Sequence, residues 1–346
     1  MARLVGLMVA AIPAVEMGKL HYRTLEREKI AALKQAKGNY GGWMQISREM
    51  KTEIKWWIDN VAAESRKIIR DNPNMEIYTD ASGIGWGGHV NGVSTGGSWR
   101  TGEHELHINV LEIKAILFTL MAFGKQVRGK HVKVFCDNQT AVTYVNEMGG
   151  TKSIACNEVC VDLWEWCNRN GVWITCSHIP GRLNVEADRA SRVINDRNEW
   201  KLNKDTFKDI CEVLGMPDID LFASRLNNQL EVFCSFLPDP DATYFDAFTL
   251  DWNVFRLLYV FPPFSLVARC LQKIQADEAT GIIIVPRWQT QPWWSVLENM
   301  TTRTPFVIRR RKGILTHPLT REDHPLMEHT DLMACLVSGR SCKRKA

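Results

Sequence analysis

Although the 346 residues include 10 cysteines, none of these cysteines forms the paired CxxC spacing that zinc ribbons and dithiol redox sites require. Cys156 and Cys160 come closest. They lie one helical turn apart in an apolar pattern, which reads as buried thiols of a reducing compartment rather than as a metal site. The sequence also lacks an internal repeat, a low-complexity tract and any apolar run long enough to span a bilayer, which argues against a solenoid, a disordered scaffold and a membrane partner. The nearest thing to a hydrophobic run is residues 4–12 behind Arg3, which has the outline of a short secretory signal. Pro13 and Glu16 follow it without a clear small-x-small cleavage site, so the expectation is an intracellular chain, cytoplasmic or nuclear. Excess charge is scarce too: 43 basic against 39 acidic residues give a net charge of +4, a mild bias that suits a phosphate-rich partner without identifying one.

What is present is the composition of a folded protein, 45% hydrophobic and 24% charged, with length for two or three domains. Tryptophan is abundant. The groups Trp56-Trp57, Trp164 with Trp166, and Trp293-Trp294 are able to stack on bases, with core packing as the plainer use.

Residues 1–70 show apolar positions at helical spacing, notably over 24–36 and 47–62, with Ser47 as a helix start and a Gly-Asn-Tyr-Gly-Gly loop at 38–42. Asp71-Asn72-Pro73-Asn74 breaks that pattern and opens a second region, 71–195. There, strands are expected at 75–79, 86–91 and 94–100, turned at Asn91-Gly92. A helix at 110–123, a strand at 132–136, helices at 139–147 and 154–168, a strand at 172–177 and a helix at 185–193 follow. Three hairpin-like strands followed by alternating helices and strands imply an α/β fold with a mixed sheet covered by helices. Residues 200–300 read as a second, smaller α/β unit with buried strands near 220–223, 257–260 and 282–285. Residues 301–346, with Arg309-Arg310-Arg311-Lys312, several prolines and Lys343-Arg344-Lys345, read as a linker and basic tail.

Four acids stand where a hydrolytic metal site would want them. Asp80 ends one strand, Glu112 lies in the first turn of a helix, Asp137 ends another strand and Asp188 opens the last helix of the region. Strand ends and helix starts converge on one edge of such a sheet. Any one of these acids taken alone is more simply a turn or helix-cap residue; the four in order are not. Magnesium prefers oxygen ligands, and two ions about 4 Å apart activate an attacking water and stabilise the leaving 3′-oxygen of a phosphodiester. Four close carboxylates tolerate one another only with cations bound, so raised pKa values are expected.

Four segments carry a resemblance: Tyr78-Thr79-Asp80-Ala81-Ser82, Asn109-Val110-Leu111-Glu112, Phe135-Cys136-Asp137-Asn138-Gln139, and the run from His178-Ile179-Pro180-Gly181-Arg182 through Asp188 to Arg192. Together, over roughly residues 73–193, they resemble the signature segments of type 1 ribonuclease H domains in the version found in retroelement polyproteins. The resemblance implies a five-stranded ribonuclease H-like sheet and Asp80, Glu112, Asp137 and Asp188 as catalytic acids holding two Mg2+ ions, with Mn2+ able to substitute. It implies hydrolysis of the RNA strand of an RNA/DNA hybrid during reverse transcription. It also implies Asn109 and Gln139 as hybrid contacts, with Ser82 beside them as a substrate-binding candidate; a helix-capping Asn and a solvent-facing Gln are the alternatives. The His that follows the glycine of the last segment in many cellular members is replaced by Arg182, which implies slower turnover. His178 suits a strand end and is not assigned that role.

The flanks are similar to those of DIRS-type, tyrosine-recombinase retrotransposons. Tyr22-Arg23-Thr24-Leu25-Glu26 and Trp56-Trp57-Ile58 resemble the stretch joining polymerase to ribonuclease H, and the YxDD of the polymerase is absent. The partners this implies are the polymerase and recombinase parts of one polyprotein. Asp220-Leu221-Phe222-Ala223-Ser224 and Phe261-Pro262-Pro263-Phe264 are loosely similar to Dam-like DNA adenine-N6 methyltransferases. Phe261 stands where those have Asp or Asn, so a degenerate, structural or DNA-binding module is favoured over an active transferase. A catalytically silent nucleic-acid-binding fragment is the alternative for the whole chain.

Overall fold

His131–Cys136 alternates half-exposed and buried side chains residue by residue, the pattern of a strand with one face in a core. The computed structural model of the chain describes residues 1–193 and 199–340 and divides into two units, Met1–Ile194 and Asn195–Ala346.

The first unit begins with three helices, α1 (Ala2–Ala11), α2 (Arg23–Gln35) and α3 (Arg48–Asn60). Ser47 caps α3, its Oγ accepting from the Met50 amide at 3.2 Å, and the Glu53 carboxylate accepts the Thr24 and Leu25 amides at the start of α2. The apolar run near the N-terminus is helical, and its Val5 and Met8 pack with Leu25, Met50 and Trp57. Met17 and Leu20, however, join the core of the sheet that follows, so residues 1–70 are part of the same unit rather than a domain apart.

That sheet comprises β1 (Met75–Ala81), β2 (Gly85–Val90), β3 (Val93–Ser98), β4 (His131–Cys136) and β5 (Trp173–His178). The helices are α4 (Ile108–Ala122), α5 (Gly124–Val127), α6 (Gln139–Asn146), α7 (Ile154–Arg169) and α8 (Val185–Arg192). The strand order is β3-β2-β1-β4-β5, antiparallel from β3 to β1 and parallel from β1 to β5. This is the mixed five-stranded α/β sheet with flanking helices expected above. Asn91 and Gly92 both take positive φ, 48° and 82°, which closes the β2–β3 hairpin with the twist its strands need. Apolar side chains of α4, α6 and α7 bury Ile77, Val132, Val134, Ile174 and Cys176 on one face. Consecutive glycines decide how the two faces are covered. A Cβ on Gly88 would meet Thr119 of α4 at 2.3 Å, while one on Gly87 would meet the Ala187 carbonyl of α8 at 2.2 Å. Alternate residues point to opposite faces, so α4 and α8 grip the same strand from both sides.

The second unit contains β6 (Lys201–Leu202), α9 (Lys204–Leu214), β7 (Ile219–Asp220), β8 (Cys234–Ser235), β9 (Tyr244–Phe245), β10 (Leu258–Val260), α10 (Val267–Ala276), β11 (Thr280–Pro286), α11 (Trp294–Met300), β12 (Phe306–Ile308), β13 (Leu315–Thr316) and β14 (Leu332–Ser338). Its main sheet has the order β12-β14-β11-β10-β7, with β7, β10 and β11 parallel and β14 antiparallel to its neighbours. Ile283 and Val285 face α10 and α11, whereas Ile282 and Ile284 face α9, so both faces are buried. The linker-and-tail reading of 301–346 is corrected here. Residues 332–338 form an inner strand, paired on both sides, and 306–308 form the edge strand beside it. The prolines and basic cluster between them sit in the connection and mask the short apolar runs. Lys343-Arg344-Lys345 lies outside the described residues. No helix among the described residues is long and apolar enough to cross a membrane.

Candidate metal centre at the edge of the first sheet

The parallel register of β1 and β4 pairs Tyr78 with Phe135. Asp80 and Asp137 each come two residues later, so the two acids arrive at equivalent positions on neighbouring strands, at their carboxyl ends. Glu112 enters from α4 one turn beyond the helix start, not in the first turn as the sequence suggests, because α4 begins at Ile108 behind a His107 cap. Asp188 lies in the first turn of α8.

Glu112 is 3% exposed, and its carboxylate accepts from the Ala81 amide and, at 3.5 Å, from the Cys136 thiol. Ligand atoms of Glu112, Cys136 and Asp137 all lie within 4.8 Å of one another, and among the described residues no other cluster of three potential ligands is so close. Asp80, also 3% exposed, accepts at Oδ2 from the Ser191 hydroxyl at 2.6 Å. Asp188 is half-exposed and paired with Arg192 at 2.7 Å. Glu112 and Asp137 therefore have ligand atoms within 4.8 Å of each other, the charge of Asp80 acts on Glu112 ahead of that of Asp137, and Asp188 acts on Asp80.

Burial, followed by the charges of Asp80 and Asp137, pushes the Glu112 carboxyl up to about 8. Burial also raises Asp80 to about 6; the Ser191 hydrogen bond opposes that, and the charges of Asp137 and Asp188 reinforce it. Buried carboxylates without an ion-pair partner call for a cation. The Glu112 and Asp137 carboxylates meet at a strand edge and suit a hard divalent ion; the Cys136 thiol beside them is a soft atom, held protonated by burial.

The other candidates separate. Gln139 is exposed as the first residue of α6. Asn109 is half-buried and does not cap α4; its Oδ1 accepts from Asn138 Nδ2 at 2.9 Å, and Asn138 in turn caps α6. Ser82 does not face the edge as a substrate contact. It is buried, its hydroxyl donates to the Ser191 carbonyl at 2.8 Å and accepts the Gly85 amide at 3.1 Å, which ties the β1–β2 turn to α8. His178 is exposed at the end of β5, opposite Cys136 in the register, and Arg182 is exposed in the loop that follows. A Cβ on Gly181 would come within 2.8 Å of Asp137 Oδ2, so this loop closes directly on the acid. Sequence reasoning passed over Cys136, Asn138, Asn184 and Ser191. Asn138 was legible as a helix cap ahead of Gln139. Asn184, whose amide holds the Thr79 carbonyl at 2.9 Å, and Ser191 act across more than 100 positions and leave no local signal. The tryptophans divide as well: Trp57, Trp164 and Trp293 are buried in cores, whereas Trp56 stacks on His21 at 3.9 Å.

No protein-family model and no curated protein matches the chain. Among solved structures, it is similar to RNase H1 from Halobacterium salinarum NRC-1, at 18% identity over 34% of this chain and 96% of that one, with a TM-score of 0.28. It is also similar to LC11-RNase H1 in complex with an RNA/DNA hybrid, at 21% identity over 36% of this chain and 98% of that one, with a TM-score of 0.31. A third match is a foamy viral protease-reverse transcriptase in complex with an RNA/DNA hybrid, at 12% identity over 53% of this chain and 29% of that one, with a TM-score of 0.26.

Proposed function

We propose that the first unit is a ribonuclease H that hydrolyses the RNA strand of an RNA/DNA hybrid, with Asp80, Glu112, Asp137 and Asp188 as the acids that hold its divalent ions. The observation that carries this reading is the clustering of Glu112 and Asp137 at one strand edge in motif positions, with buried Asp80 acting on both through its charge and the Asp80 and Glu112 carboxyls raised. Held by these acids, two Mg2+ ions would supply Lewis acidity to the scissile phosphate and to the water that attacks it, with the 3′-oxygen leaving. The chain's own contribution is placement. Cys136 and the Ala81 amide orient Glu112, Ser191 holds one oxygen of Asp80 and leaves the other free, and the 181–183 turn walls off Asp137. Asn109, fixed by Asn138, and exposed Gln139 are positioned to read 2′-hydroxyls and base edges in a shallow minor groove. The natural setting of such an activity is reverse transcription by a retroelement polyprotein of the DIRS type, with its polymerase and recombinase as partners.

The test is cleavage of labelled RNA annealed to DNA by the full chain, with Mg2+, with Mn2+ and with chelator. Metal-dependent cutting is expected. Asp137→Asn should lower it by more than the roughly 10–100-fold that loss of an outer-shell group costs. A fully active Asp137→Asn protein would remove the assignment, and salt-sensitive hybrid binding without cutting would identify a binding protein instead.

A further inference from the structure

Helix α8 brings three polar side chains to the acids of the first unit. Asp188, Ser191 and Arg192 stand at i, i+3 and i+4, which places them on one face of the helix. Ser191 fixes that face: its hydroxyl donates to Asp80 Oδ2 at 2.6 Å, and its carbonyl accepts from the Ser82 hydroxyl at 2.8 Å. The backbone of α8 also lies directly on β2 at Gly87, so the helix has no slack against the sheet. What can move is the Arg192 side chain, which is 60% exposed.

Arg192 Nε donates to Asp188 Oδ1 at 2.7 Å, a short charge-assisted bond. The charges of Asp80 and Asp137 act on the guanidinium as well, so its field reaches beyond its own partner. Among the described residues, Asp188 is the one member of the four acids with an ion pair. A guanidinium does not give up its proton, so it can leave Asp188 only by moving away. Leaving costs little, because an exposed ion pair is weak and its stem swings into water.

A divalent ion at the acids calls on the same carboxylate. Two such ions already balance four carboxylates, and a further cation held beside Asp188 is repelled by both of them. We infer that Arg192 is the resident counter-cation of the ion-free centre and competes with the divalent ions for Asp188, so that it sets how much divalent ion the chain needs. The inference rests on the four acids being the metal ligands, as proposed above. In the exchange, Asp188 Oδ1 turns from the guanidinium to the ion, and the guanidinium moves to solvent with its charge unchanged. The opposite geometry keeps Arg192 on Oδ1 while Oδ2 takes the ion; the guanidinium would then orient a ligand, and its loss would weaken ion binding. The two differ in sign.

The experiment measures ion binding by the full chain without relying on cleavage. Mn2+ binding is read from the loss of the free-ion electron paramagnetic resonance signal, and Mg2+ binding from the rise in melting temperature. Arg192→Gln should lower the half-saturating concentration of either ion about fivefold, the upper range for an exposed ion pair. The gain should shrink as sodium chloride is added, because screening weakens the competitor in the natural chain. Arg192→Lys keeps the charge and should stay close to the natural chain. Arg189→Gln removes the same charge from an exposed position that does not pair with Asp188, and should shift the requirement less than Arg192→Gln does. An unchanged or higher ion requirement in Arg192→Gln, or an equal shift in Arg189→Gln, would overturn the inference. Failure of the natural chain to bind Mn2+ would sink the metal centre and the inference with it, whereas binding that Glu112→Gln weakens and Arg192→Gln leaves untouched would sink the inference alone.

Discussion

Glu112 has a thiol and a backbone amide as its donors, so without a cation a proton is its only counter-charge. Its folded pKa of about 8 stands above the ordinary value of 4.5, which means the folded chain binds this proton more tightly than the unfolded chain. Its contribution to stability is therefore full below pH 4.5 and falls as the pH rises towards 8. Thermal melts in chelator should show that decline, and Mg2+ should reverse it at the alkaline end by replacing the proton. Glu112→Gln should flatten the decline and abolish the Mg2+ response together. A Glu112→Gln protein still stabilised by Mg2+ as the natural chain is would remove Glu112 from the site.

At the scale of elements, the position of Asp188 depends on how closely α8 lies against β2 and β3. A Cβ on Gly87 would meet the Ala187 carbonyl at 2.2 Å and the Ser191 amide at 2.5 Å, and one on Gly96 would meet the Ala190 carbonyl at 2.5 Å. These are backbone atoms and have no rotamer to change. Gly87→Ala should destabilise the first unit by about 1–3 kcal/mol, and it should lower hybrid cleavage further than the stability loss explains by lifting α8 and with it Asp188 and Ser191. Gly92→Ala is the control. Its φ of 82° strains a side chain, but nothing lies within 4 Å, so stability should fall by about 1 kcal/mol with cleavage per folded molecule unchanged. Chemical denaturation alongside the cleavage assay separates the two. The strand at 132–136 and the Asn91-Gly92 turn were legible in the sequence, because strand propensity and turn chemistry are local. The reason for Gly87 was not, because its neighbour lies 100 positions away.

At the scale of the molecule, each unit buries its own sheet between its own helices. Calorimetry should resolve two unfolding transitions, with Mg2+ raising only the one that Glu112→Gln makes insensitive to the ion. A single transition shifted as a whole would show that the units unfold together. The boundary near residue 195 was readable from the change in texture after the last helix of the first sheet. The end of the second unit was not, since Leu332–Ser338 is a short apolar strand isolated behind prolines and basic residues, and only its partner β11 reveals it as an inner strand.

The sequence by itself determined the elements of the first sheet and the placing of Asp80, Asp137 and Asp188 beside strand and helix ends, because strand propensity, turn residues and acidic residues at element ends are written within a few positions of one another. Tertiary structure alone decided that Glu112 clusters with Cys136 and Asp137, that Ser191 holds Asp80, and that the Ser82 hydroxyl is taken up by α8 and the neighbouring turn. The physical reason is range: hydrogen bonds and desolvation act over a few ångströms in space, and the chain brings those ångströms together only after residues far apart in sequence have folded onto one another.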